Sequence, residues 1–87
     1  MSWNVTISKS AREDLDNFRA YHPDLYMQAY RIARSICEDP ESGIGCPRNL
    51  STLGASVWCR NLSLEHRVVY EVFADTVVIA AFRTRVD

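Results

Sequence analysis

Glycine and proline are scarce, three of each in 87 residues, while 47% of the chain is hydrophobic and 24% charged. That balance excludes a collagen-like repeat, a Gly/Ser linker and a disordered tail. No long apolar run exists: the longest uninterrupted stretch, residues 77–82, is far short of the ~20 residues a membrane span needs. The opening Met1-Ser2-Trp3-Asn4-Val5-Thr6 has neither a basic nor an apolar signal region, so a cytoplasmic protein without membrane association is expected. The three cysteines, Cys37, Cys46 and Cys59, show no C-x-x-C spacing and have only His22 and His66 to join them. No zinc pattern results, and reduced thiols in a reducing compartment are the expectation. Gly43-Ile44-Gly45 lacks the strand and helix that a phosphate-binding loop requires. Lysine is nearly missing too. Nine of the ten cations are Arg, against eleven acids, for a net charge of −1. Bulk charge therefore gives no argument for nucleic-acid binding. The arginines do suit phosphate or carboxylate recognition, and residues 46–87 carry five of them against four acids.

What is present reads as one domain over 1–87, without repeat or internal boundary. Residues 3–7 alternate as a half-buried strand does. Ser8 stands at a helix N-cap position, and Ser10 with Glu13 offers a competing capping box. Ala11, Leu15 and Phe18 then line one helix face up to about Tyr21. Pro23 opens a second helix whose apolar stripe is Leu25, Ala29, Ile32, Ala33, Ile36 and Cys37. Residues 40–48 read as a loop, 50–53 as a short strand, and 57–62, 66–73 and 76–83 as longer strands. Ala74-Asp75 is tight enough for a hairpin. The expected fold is α+β in the order β-α-α-β-β-β: an antiparallel, twisted meander with both helices on one face.

A period of two sorts the later strands into faces. His66, Val68, Tyr70 and Val72 share one face, Arg67, Val69, Glu71 and Phe73 the other. In the last strand Val78, Ala80 and Phe82 oppose Val77, Ile79, Ala81, Arg83 and Arg85. With an apolar face on the helices, Arg67, Arg83 and Arg85 would meet on the open one as a cradle for a phosphodiester. The competing reading is solvated arginines paired with Glu65, Glu71 and Asp87. His66 falls on the core face, which suits a packed histidine better than a base. Trp58 is a packing residue or, if exposed, a platform for a nucleobase.

Val57-Trp58-Cys59-Arg60-Asn61-Leu62, followed by Glu65-His66-Arg67-Val68-Val69-Tyr70-Glu71-Val72 and by Val77-Val78-Ile79-Ala80-Ala81-Phe82-Arg83, resembles the YoeB branch of the RelE/ParE toxin superfamily. Gly45-x-Pro47 fits the same pattern. The resemblance implies a microbial-RNase-like toxin of a type II toxin–antitoxin pair. Such a toxin enters the ribosomal A site and cuts mRNA without metal or other cofactor, the RNA 2′-OH attacking the adjacent phosphate. It also implies an acidic, partly disordered antitoxin that wraps the toxin or blocks its site in a hetero-oligomer. By the resemblance Arg67 corresponds to the catalytic arginine, and Glu65 and Arg83 match the pattern. The family's general-base Glu falls on Arg48, its terminal His-Tyr on Arg85-Val86, and a groove Lys and Arg on Ser51 and Asn61. Arg85 and Arg83 would then assist Arg67, and Arg48, Arg60 and Trp58 would contact mRNA or ribosomal RNA. A catalyst without its acid–base pair should be slow or strictly ribosome-dependent. The acidic balance should weaken ribosome affinity. A ParE-like inhibitor of DNA gyrase and a non-catalytic relative that only holds a partner protein are the alternatives.

Overall fold

Ser8 decides where the first strand stops. Its Oγ accepts the Ala11 amide at 3.0 Å from an extended backbone (φ −64°, ψ 164°), so Ser8 and not Ser10 caps the helix that follows. In the computed structural model, which describes residues 2–54 and 56–85 with backbone alone at 51, 84 and 85, the order is β1 (Asn4–Ile7), α1 (Lys9–Tyr21), α2 (Pro23–Glu38), β2 (Arg48–Asn49), β3 (Val57–Asn61), β4 (His66–Val72) and β5 (Thr76–Arg85). Pro23 occupies the first turn of α2, where its missing N–H would have had no partner. No helix among the described residues is long and apolar enough to cross a membrane.

The two helices cover one face of a five-stranded sheet of order β1-β5-β4-β3-β2. Phe18 of α1 and Ala29, Ile32 and Ile36 of α2 are buried against Val68, Tyr70, Ile79 and Phe82 of the sheet. Each of the larger aliphatic and phenylalanine side chains among them contributes about 1.5–3 kcal/mol on leaving water. The sheet is mixed, a correction to the expected antiparallel meander: β2 to β5 are antiparallel, but β1 runs parallel to β5 in the register Val5↔Val77 and Ile7↔Ile79. A four-residue alternation carries no information about strand direction. The chain returns to β5 only after both helices and three further strands, well beyond the connection length that a parallel neighbour demands. Residues 50–53 are likewise not a strand. Leu53 N–H returns to the Leu50 carbonyl at 2.8 Å, closing a 3-10 turn (Ser51–Leu53).

The last strand departs from strict alternation. Tyr70 pairs with Ile79 but Val69 with Ala81, which leaves Ala80 as an extra residue, and a second shift separates Val69↔Ala81 from Arg67↔Thr84. These are β-bulges, each of which reverses the phase of the strand beyond it. Val77, Ile79 and Phe82 are therefore all buried while Ala80 is exposed. Uninterrupted alternation had put Phe82 on the face opposite Val77 and Ile79.

The loop between α2 and β2 lies tight on β3, and Gly45 is the contact point. Its carbonyl accepts the Asn61 amide at 2.6 Å, its φ is +85°, and an added Cβ would lie 2.8 Å from Ile32 Cδ1 and 2.9 Å from the Asn61 carbonyl oxygen. Gly45→Ala should cost about 2–4 kcal/mol, combining left-handed strain with a clash against backbone. Thermal melting is the check, with a drop on the order of 10 °C expected. An unchanged midpoint would mean that the loop yields freely.

Candidate functional site

Residues paired across neighbouring strands share a face of the sheet. The register Asn61↔Arg67↔Thr84, Cys59↔Val69↔Ala81 and Arg48↔Cys59 places Arg48, Asn61 and Arg67 on the face away from the helices. One Arg48 Nη donates to Asn61 Oδ1 at 3.3 Å, which fixes the amide between the two guanidinium groups. Cys59, Val69 and Ala81 form a low floor beside them. Arg83, which follows the inward-facing Phe82, is exposed.

Arg67 is half-buried, and its Nε is buried without a hydrogen-bond partner. Leaving a buried donor unmade costs about 1–3 kcal/mol, more where the group is charged. Such an atom is ready for an acceptor arriving from outside. The ion pairs of the competing reading do not form among the described residues: Glu71 takes a hydrogen bond from Ser56 Oγ at 3.1 Å, and neither Arg67 nor Arg83 has a carboxylate partner. Glu65 is exposed in the turn immediately before β4, two positions from Arg67. Asp87 and Val86 lie outside the described residues. Arg85 ends β5 opposite His66 and not opposite Arg67. Its backbone thus departs from the face assigned by alternation, because of the bulges, and its side chain is outside the described part.

Arg60 is a correction. Expected to touch RNA, it pairs with Val68, faces the helices and is fully buried. All its donors are used: Nε to the Tyr70 hydroxyl at 3.1 Å, one Nη to Ser35 Oγ at 2.6 Å and the Ile44 carbonyl at 3.1 Å, the other to the Asp39 and Ser42 carbonyls at 2.6 and 3.0 Å. Its guanidinium carbon also stands 5.8 Å from the centre of the Tyr70 ring. Tyr70 in turn donates to the Pro40 carbonyl at 2.6 Å. Burial holds the Tyr70 phenol above its usual range. Asp39 titrates below the usual carboxylate value, because its carboxylate accepts the Glu41 amide and the Ser42 hydroxyl. Arg60 therefore folds residues 39–45 onto the sheet and is not offered to a ligand.

Trp58 also belongs to the inward face. It pairs with Tyr70 and packs, half-buried, against the core, so it is not the exposed platform for a nucleobase. His66 sits where the alternation places it, with its ring 6.0 Å from Phe18. The pairing thus brings together Arg48, Asn61 and Arg67, while Arg83 lies exposed within the second bulge of β5. Along the sequence Asn61 is marked only as the position where a groove arginine of the resembling family falls; its place beside Arg67 comes from the pairing Asn61↔Arg67. An apolar hollow of about 280 Å³ between the helices and β1, lined by Val5, Ile7, Leu15, Tyr26 and Tyr30 among others, contains none of these four.

Residues 7–85 match the sequence model of a family described as the YoeB-like toxin of bacterial type II toxin–antitoxin systems. No curated protein matches the chain. Among solved structures, it is similar to the YoeB dimer from Staphylococcus aureus, at 26% identity and TM-score 0.86, covering 99% of this chain and 100% of the other. A heterotetrameric YoeB–YefM toxin–antitoxin complex from the same organism gives 26% identity and TM-score 0.83 over 99% and 100%. The YoeB/ParE toxin from Agrobacterium tumefaciens, 20% identical with TM-score 0.85 over 95% and 99%, shares the fold.

Proposed function

The chain belongs to the YoeB-like toxins of bacterial type II toxin–antitoxin systems, and from that membership we propose that it is a ribosome-dependent endoribonuclease acting on mRNA in the cytoplasm. The observation that carries this reading is the Arg67 guanidinium: half-buried, its Nε unpaired, beside Arg48 and Asn61, with no carboxylate to neutralise it. A phosphodiester supplies the acceptors such a site lacks. In the reaction the 2′-OH of one nucleotide attacks the adjacent phosphorus and loses its proton. The bond to the 5′-oxygen of the next nucleotide breaks, and that oxygen gains a proton. Negative charge rises on the non-bridging oxygens as the fifth bond forms. Fixed guanidinium donors stabilise that charge more than they stabilise the ground state, which is the requirement for catalysis.

Arg67 would bind the attacked phosphate, with Arg83 assisting and Arg48 holding a flanking phosphate. No carboxylate forms an ion pair with Arg67 among the described residues, and the family's general-base Glu position holds Arg48. The proton therefore leaves to water or to a group of the ribosome, and free RNA should be a poor substrate. The partner is an antitoxin, as YefM is for the S. aureus YoeB. Carboxylates on an acidic segment of it would satisfy the same arginines in the absence of RNA.

The test is mapping of 5′ ends on a defined mRNA, bound to programmed ribosomes or free. Cuts confined to the A-site codon and at least about 100-fold slower on free message are expected, since orienting the reacting groups supplies effects of that size or larger. Intact mRNA together with inhibited supercoiling by DNA gyrase would replace the reading by the ParE-like one. Intact mRNA with no gyrase effect, and binding only to the antitoxin, would leave a protein-binding module.

A further inference from the structure

The two irregularities of β5 are fastened by the N-cap of α1 and by α1 itself. At the first bulge Ser8 donates its Oγ–H to the Ala80 carbonyl at 2.8 Å and its amide to the Ile79 carbonyl at 3.0 Å. At the second, a single carboxylate oxygen, Asp14 Oδ2, accepts the consecutive amides of Phe82 at 2.9 Å and Arg83 at 3.2 Å. A bulge takes an extra residue out of the ladder and leaves backbone donors without a cross-strand acceptor. An anionic acceptor is worth about twice a neutral one. Asp14 stands nearly two turns along α1 from the N-cap Ser8 and is separated from these amides by 68 and 69 positions in the chain. Its carboxylate makes no other hydrogen bond among the described residues.

The bulge is also what aims the site. Beyond it the register becomes Arg67↔Thr84, so its geometry sets how Arg83 stands against Arg67. From this we propose that Asp14 is a positioning residue for the arginine cradle. By clamping the Phe82 and Arg83 amides it holds Arg83 and the end of β5 at a fixed distance from Arg67. The proposal rests on the ribonuclease reading for its consequence in rate, and on the geometry alone for its consequence in structure. A loosened clamp leaves ribosome and RNA contacts made elsewhere intact, but the charge-stabilising donors are no longer preorganised. The loss then falls on kcat and not on KM.

Three variants of the full chain separate the outcomes. Asp14→Ala removes the acceptor, Asp14→Glu keeps the charge but moves the carboxylate by one methylene, and Asp14→Asn keeps an oxygen of the same reach. Measured on programmed ribosomes, Ala and Glu should lower kcat by about 10- to 100-fold with KM within about threefold, and Asn should stay within about fivefold of wild type. If Ala does not fold, the Glu and Asn pair decides. Nitrogen-15 spectra of the same variants report the clamp directly: the Phe82 and Arg83 amides and the Arg67 Nε–H should shift in Ala and Glu and barely move in Asn. Unchanged kcat in both Ala and Glu would overturn the proposal, as would a rise in KM at constant kcat. If the wild-type chain cleaves nothing, the ribonuclease reading fails by itself and the spectra judge the clamp. Arg67 and Arg83 signals that stay in place in Ala and Glu would then sink it.

Discussion

Arg67→Ala is expected to lower cleavage on programmed ribosomes by about 100- to 1,000-fold, the usual loss when one preorganised donor to a developing oxyanion is removed. The structure explains why the loss should be catalytic and not structural. The Arg67 Nε has no partner among the described residues, so removing the side chain breaks none of their hydrogen bonds and relieves one unsatisfied donor. The urea midpoint of Arg67→Ala should accordingly stay within about 0.5–1 kcal/mol of wild type, the range of partly exposed substitutions. Arg67→Lys tests geometry against charge. An ammonium is a point charge on a flexible stem and cannot grip two phosphate oxygens at once, so Lys should restore only a fraction of the rate. An Ala variant that cleaves as fast as wild type would show that this face does not carry the reaction.

Arg60→Ala should behave in the opposite way, with a large loss of stability. Deleting the side chain strips five donors from the interior. The carbonyls of Asp39, Ser42 and Ile44 and the Ser35 hydroxyl lose the group that satisfies them, and a cavity opens under the loop of residues 39–45. Breaking a buried hydrogen-bonded network costs about 3–5 kcal/mol. Domains of this size hold roughly 5–15 kcal/mol in all. Chemical denaturation should therefore place Arg60→Ala near the edge of folding at 37 °C. Arg60→Lys keeps the charge but cannot reach five acceptors from one nitrogen, and should recover about half of the loss at most. A cost below about 1 kcal/mol for Ala would contradict the buried network. The pair of arginines is thus distinguished by experiment as well as by position: one is replaced at the expense of rate, the other at the expense of the fold.

The motif residues around Arg67 carry the family in their spacing, and the family model matches residues 7–85 on sequence alone. Yet the same motif does not tell Arg60 from Arg67. Both are arginines in strands of mixed character, and only the pairing Arg60↔Val68 and Asn61↔Arg67 puts one inside and one outside. Arg48 shows the same limit from the other side. Its place in the site comes from the pairing Arg48↔Cys59 and from the hydrogen bond to Asn61, thirteen positions away.

Local physical chemistry determined much of this protein before any tertiary contact is considered. A serine cap at Ser8 or Ser10 opens the first helix, Pro23 starts the second, the stripe of Ala29, Ile32 and Ile36 marks a buried face, and alternation marks β3 and β4. Each of these depends on groups within a few residues of one another. The parallel docking of β1, the bulges of β5, the burial of Arg60 and the clamp from Asp14 were decided only by the tertiary structure. Each joins groups far apart in the chain, 68 positions in the case of Asp14 and Phe82. A short strand carries no sign of its direction, and a period of two carries no sign of where an extra residue will reverse it. The arginine that serves the fold and the arginine that serves the site are chemically identical along the sequence. They differ only in which acceptors the folded chain brings within reach.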